Sequence, residues 1–212
     1  MKRVPHVSIA KVMPGMAAAA LLSASLSLMA PANAQAFSSF YTSTAPKDCR
    51  VSGAGNGVDD STIRLCPGVS GLKVLVSEDD LRETVSIGRN RAAAAREPAA
   101  QNWFGPFNSA ASTIEWRAAN GKPFAIIQRW HLDDISDQDK NGRPVAKPML
   151  VVTRLPPGPV CHVAYIDVQA NPNANELARK AADEFARGFH CGKDEVKVIG
   201  ESGRAAELAI RR

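Results

Sequence analysis

Two Cys-His pairs bracket one segment, "CHVAYIDVQANPNANELARKAADEFARGFHC", which opens on Cys161-His162 and closes on His190-Cys191. Thiolate and imidazole together suit three chemistries: a zinc site, a thiol nucleophile with its base, or a disulfide. No C-x-x-C or H-x-x-x-H spacing accompanies the pairs, so the zinc pattern is incomplete. If residues 160–168 form a strand, Cys161 and His162 point to opposite faces and do not meet on one ion. Cys161 then shares its face with Val163 and Tyr165, and a helix packed there returns Cys191 to the start of the strand. A disulfide is the favoured reading, and it consumes the thiols that a nucleophile needs. Cys49 and Cys66 are the remaining cysteines. Four cysteines allow three pairings; Cys49–Cys66 with Cys161–Cys191 is the local one.

Three other sets could do chemistry. "DQDKNG" places Asp137, Asp139 and Asn141 at alternate positions before Gly142, which is the first half of a calcium loop. The second half fails, because Pro148 stands where a bidentate Glu belongs, although Asp133 or Asp134 could supply a carboxylate. A solvated hairpin loop explains the same residues, since Asp, Asn and Gly are turn formers. His131 with Asp133 or Asp134, and Ser109 or Ser112 as nucleophile, gives a hydrolase-like set, but no G-x-S-x-G elbow supports it. "NWFGPF" puts Trp103, Phe104 and Phe107 in a Gly-Pro loop, where exposed rings would stack on a sugar or grip a partner and buried ones would cover the sheet. "GAGNG" (53–57) lacks the following helix of a phosphate loop.

The N-terminus bears on the redox setting. "MKRVPHVSIAKVM" carries Lys2, Arg3 and Lys11 and no acid. An uncharged run from Met16 to Ala30 follows, and then small residues at Ala32, Ala34 and Ala36. This is the three-part pattern of a secretory leader, so residues 1–36 are expected to be cleaved. The apolar run falls short of the ~20 residues of a membrane span. Periplasmic or secreted location is the expectation, and disulfides fit an oxidising compartment. The whole chain has 26 Lys+Arg and 21 Asp+Glu, or +5. Removing the leader's three basic groups leaves 23 against 21, or +2. Bulk charge therefore gives no case for nucleic acid, and no membrane span is expected after cleavage.

The elements that must position these residues read as strands first and one good helix late. "DLRETVSIG" alternates, with Glu83 on its apolar side in need of a partner. Asn120-Gly121 suits a type I′ turn in the strongest hairpin, 112–134, whose two-residue turn predicts Trp116 opposite Ala125 and Ile114 opposite Ile127. "KPMLVVTRL" and "VCHVAYIDV" form a second hairpin, apolar on both faces and hence central. Asn173 and Glu176 predict a helix from 174 to 188 with a stripe of Leu177, Ala181, Phe185 and Phe189. The expected fold class is α+β: an antiparallel sheet of hairpins with one main C-terminal helix on a face, stabilised by disulfides. Residues 37–199 form its single domain, and 200–212 are expected to be a loosely ordered tail.

"IEWR…GKPFAIIQRWH", "VVTRLPPGPVCHVAYIDVQANPNANELAR" and "FHCGKDE" resemble a group of small exported proteins from α-proteobacterial genomes. The likeness covers most of the chain after the leader. It implies export and a single domain, and it assigns neither an activity nor a site residue. The functional expectation is a non-catalytic binding or envelope-associated module, with no cofactor, acting on an envelope protein or polymer. Calcium binding at Asp137, Asp139 and Asn141, or hydrolysis around His131, are the alternatives.

Overall fold

The computed structural model of the chain describes residues 36–52 and 61–210. The expected leader and the Gly-rich stretch beyond Ser52 lie outside the described residues. Ten strands among those described form two sheets. The larger has the order β1 (Phe37–Ser43), β6 (Asn108–Ala119), β7 (Lys122–Gln138), β8 (Pro144–Arg154), β9 (His162–Asp167) and β10 (Lys197–Val198). Its neighbours are antiparallel except β9 and β10, which run parallel. The smaller sheet is the meander β2 (Arg50–Ser52), β3 (Thr62–Pro67), β4 (Lys73–Asp79) and β5 (Arg82–Gly88).

The larger sheet separates two cores. On one side Ile114, Trp116, Ile126 and Trp130 meet Val76 and Ile87 of the smaller sheet. On the other side Ile127, Leu150, Val152 and Ile166 meet helix α2 (Ala174–Phe185). Each aliphatic side chain fully buried in this way contributes about 1.5–3 kcal/mol. The Trp116 indole N–H, though buried, donates to Thr42 Oγ1 at 2.8 Å, so the ring carries no unmet polar group.

The α+β expectation is overturned. Among the described residues strand accounts for 46% and helix for 19%, which makes them mostly β with two sheets and small helices. Helix is divided among α1 (Arg91–Ala95), α2 and α3 (Arg204–Ile210), so there is no single main helix. The physical reason lies in the central strands. β7, β8 and β9 are apolar on both faces, and one helix covers only one of them. The early strands, expected to extend the same sheet, close into their own meander and cover the other face.

Local registers also depart from simple alternation. Asn120 and Gly121 take the left-handed conformation the turn requires, at φ 50° and 75°. A bulge next to that turn, between Arg117 and Ala118, then leaves Phe124 outside the pairing. Trp116 therefore faces Ile126 rather than Ala125, and Ile127 faces Glu115. In α2 the buried face is Ala174, Ala178, Ala181 and Ala182, while Leu177 and Phe185 are only partly buried. Of the expected stripe, Ala181 and Phe189 are buried and Leu177 and Phe185 pack at the edge of the same core, because a strict four-residue spacing drifts around a helix of 3.6 residues per turn. Alanines let the helix axis lie close to the sheet. Two ion pairs clamp it there: Arg117 grips Asp183 at 2.6 Å, and Arg179 grips Glu115 at 2.7 Å.

The described part of the expected loose tail carries α3 and packs on the sheet. Ala205, Ala206 and Ala209 of α3 are buried. Asp167 of β9 accepts the Ala205 backbone N–H at 2.8 Å, and Arg204 clasps the buried Asp134 with two N–H groups at 2.6 and 2.9 Å. Both anchors come from distant strands, which is why the segment by itself gives no sign of order. Glu83 does find a partner: its buried carboxylate accepts from Arg64 at 2.5 Å and from the Ala110 N–H at 2.7 Å.

Candidate functional site

A cavity of about 710 Å³ opens beside β9. Its walls come from four separate stretches: the 3-10 turn Pro98–Gln101 with Asn102, the start of β9, the segment 189–196 after α2, and the end of α3. Two backbone-directed bonds tie the 3-10 turn to the entry of β9. Ala99 N–H donates to the Val160 carbonyl at 2.9 Å, and Val160 N–H donates to Glu97 Oε2 at 2.7 Å. The Cys161–Cys191 disulfide pins the segment after α2 to the same place.

Three polar side chains meet in this wall. Asn102 Nδ2 lies 2.7 Å from His162 Nδ1 and 3.4 Å from the Tyr165 hydroxyl, which is itself 3.0 Å from Nδ1. An amide nitrogen carries only protons to give, so in this arrangement Asn102 donates to Nδ1. His162 and Tyr165 are both buried, at 3% and 4% exposure, in the apolar core. Aromatic rings hold them: Phe104 stacks on the imidazole at 5.7 Å and meets Tyr165 edge-on at 5.6 Å. Trp130 closes the box against Phe104 at 5.1 Å. The cluster is a preorganised set of donors and acceptors in surroundings of low polarity, where such bonds are strong. Asp194 stands among the lining residues with its carboxyl held below the usual carboxylate range by the His190 backbone N–H, so the lining carries negative charge.

No family model, curated protein or solved structure matches the chain.

The cavity lining contains no Ser, no Thr and no free thiol, since Cys161 is bonded. It offers amide, imidazole and phenol groups for recognition. Sequence reasoning missed this cluster because it placed His162 and Tyr165 on opposite faces. A bulge between the pairs Val152–Ala164 and Thr153–His162 leaves Val163 unpaired. Cys161, Val163 and Ala164 then turn to the α2 core while Tyr165 joins the Trp130 side, where the His162 ring also packs. Nothing in "VCHVAYIDV" marks the extra residue.

The residues singled out from sequence fall elsewhere. Both local disulfides form, Cys49–Cys66 and Cys161–Cys191, and no cysteine is free. Asp137 pairs with Lys147. Asp139 Oδ1 accepts the N–H groups of Asn141 and Arg143 at 2.8 and 3.0 Å, which depress its pKa and close the turn. The carboxylates of 137–142 thus serve a hairpin loop, and among the described residues no group of three His, Cys, Asp or Glu is placed to hold a metal. The aromatic set divides. Phe104 is in the core, whereas Trp103 and Phe107 are 38% and 37% exposed, the latter under the Arg82 guanidinium at 4.8 Å. Ser109 does sit across from His131 in the ladder, but no side-chain hydrogen bond joins His131 to Ser109, Ser112, Asp133 or Asp134 among the described residues. Asp134 is occupied by Arg204 and by the hydroxyl and N–H of Ser136, which hold its carboxyl far below the usual carboxylate range. No helix among the described residues is long and apolar enough to cross a membrane.

Proposed function

We propose that this is an exported, non-catalytic binding protein of the periplasm or cell exterior that holds a small polar ligand in the His162 cavity. The observation that carries the reading is the Asn102–His162–Tyr165 cluster: three hydrogen-bonded polar groups built into an aromatic box that lines a cavity of ligand size. Buried polar groups are costly to build, and their convergence on one cavity favours recognition over packing. Export is supported by the leader pattern and the two disulfides, and the resemblance to small exported proteins agrees with it. Acidic groups in the lining, Asp194 and Glu195, favour a neutral or cationic ligand over an anion.

The test is retention of a ligand. The chain lacking residues 1–34 is incubated with the small-molecule fraction of an envelope extract and examined by native mass spectrometry. A retained mass that disappears in both Tyr165→Phe and Asn102→Ala, with both variants folded by circular dichroism, supports the reading. No retained mass, or one indifferent to both changes, sinks it. A second reading has its own observation. Leu81, 61% exposed, accepts the Asn108 N–H at the end of the loop that bears exposed Trp103 and Phe107, an apolar patch suited to an envelope protein or polymer.

A further inference from the structure

A second cavity, about 490 Å³, lies between residues 119–124 around the β6–β7 turn and residues 154–157 after β8. It shares no lining residue with the His162 cavity. Three cations line it, Lys122, Arg154 and Arg187, and none of its lining residues is acidic.

Arg154 is the decisive group. Its guanidinium is positioned: Nη2 donates to the Pro157 carbonyl at 2.8 Å, and both Nη atoms pack over Gly158, where an added Cβ would come within 3.3 Å of each. Gly158 has φ 89°, so the turn that brings the chain beneath the guanidinium requires glycine. Arg154 Nε is buried and has no acceptor, and Arg154 forms no ion pair with any described carboxylate. A positioned, half-buried cation in a lining that holds no acidic residue suits an oxyanion. Arg187 is fixed as well, over the rings of Phe37 and Phe124 at 5.4 and 5.3 Å. Arg187 Nη2 also donates to the Asp183 carbonyl at 3.4 Å. Apart from Asn120, the remaining walls are apolar, chiefly Pro123, Phe124, Leu155, Pro156 and Pro157.

We propose that this cleft binds an organic oxyanion, a carboxylate or phosphate group carried on an apolar body. The planar guanidinium fork of Arg154 receives the oxyanion, Lys122 and Arg187 add charge, and the Phe124 and proline walls cover the apolar part. The opposite charge of the two cavities keeps their ligands apart.

Isothermal titration of the chain lacking residues 1–34 with octanoate, below its micelle concentration, tests this against inorganic phosphate and against vesicles of phosphatidylglycerol. Octanoate is expected to bind more tightly than phosphate. Arg154→Gln should weaken it at least about tenfold, the worth of one charge-assisted hydrogen bond. Lys122→Ala, at an exposed turn where folding is not at stake, should weaken it about two- to fivefold. Binding of octanoate no tighter than phosphate overturns the proposal, as does binding indifferent to both substitutions. Binding of vesicles without octanoate also overturns it, because the cleft would then not be a small-molecule site. Absence of any binding does the same.

Discussion

Replacing Cys161 and Cys191 together by alanine removes the bond that pins the segment after α2 to the start of β9. The two cysteines are 30 residues apart, and those of the other bond, Cys49 and Cys66, are 17 apart. Loop-closure entropy then assigns about 3.6 kcal/mol to the late bond and about 3.1 kcal/mol to the early one. At roughly 2–4 °C per kcal/mol for a chain of this size, the late-pair variant should melt about 7–14 °C below the parent. The two losses are too similar to tell the bonds apart by stability alone. Location separates them. Cys161, Phe189 and Gly192 line the His162 cavity, whereas the early bond ties the 3-10 segment Pro46–Asp48 to β3. Urea unfolding followed by the fluorescence of buried Trp116 and Trp130 measures the stability. Native-state hydrogen exchange then reads residues 189–196, which should lose protection in the late-pair variant and keep it in Cys49→Ala/Cys66→Ala. A late-pair loss below about 1 kcal/mol, or equal exchange at 189–196 in both variants, would refute the assignment of that bond as the wall of the cavity.

Acid should release the α3 anchor. Arg204 first, and Ser136 second, depress the pKa of Asp134, so its stabilisation is complete above the unfolded value of about 4 and is lost as pH falls toward the folded one. Between pH 5 and 2 the parent should therefore lose more melting temperature than Asp134→Asn, and parallel acid slopes would contradict this. Gly203→Ala places a Cβ 2.5 Å from Asp167 Oδ2, the oxygen that accepts the Ala205 N–H of α3. It should lower the melting point and expose the amides of 205–209, while Gly188→Ala, with nothing within 4 Å, should be neutral. Equal melting of these two variants would remove the close-approach explanation.

How far the sequence carried the fold is clearest strand by strand. The Asn120-Gly121 turn, the pairing of β8 with β9, both disulfides and the need of Glu83 for a partner were legible, because each depends on residues whose chemistry is local or whose spacing is short. The second sheet was not legible. Apolar runs in β3, β4 and β5 say that strands form, and they do not say which strands pair. The candidate site was hidden for a sharper reason. Two bulges, at Phe124 and Val163, each shift the facing of every later side chain by one, and a period-two reading has no means of detecting the extra residue. Asn102 was passed over because an amide between a short 3-10 turn and Trp103 is an ordinary loop residue until His162 is placed 2.7 Å away.

The four-part wall of the His162 cavity fixes when in the life of the chain it comes into being. Synthesis delivers Pro98 long before Ile210, and both belong to the lining. The two sheets can pair as soon as their strands exist, yet the cavity wall is complete only once α3 docks through Asp167 and Asp134. Completion of the cavity wall thus depends on the α3 anchor, which weakens only as falling pH protonates Asp134. A ligand held there draws the final docking step toward completion, because whatever binds only the docked form stabilises it by mass action.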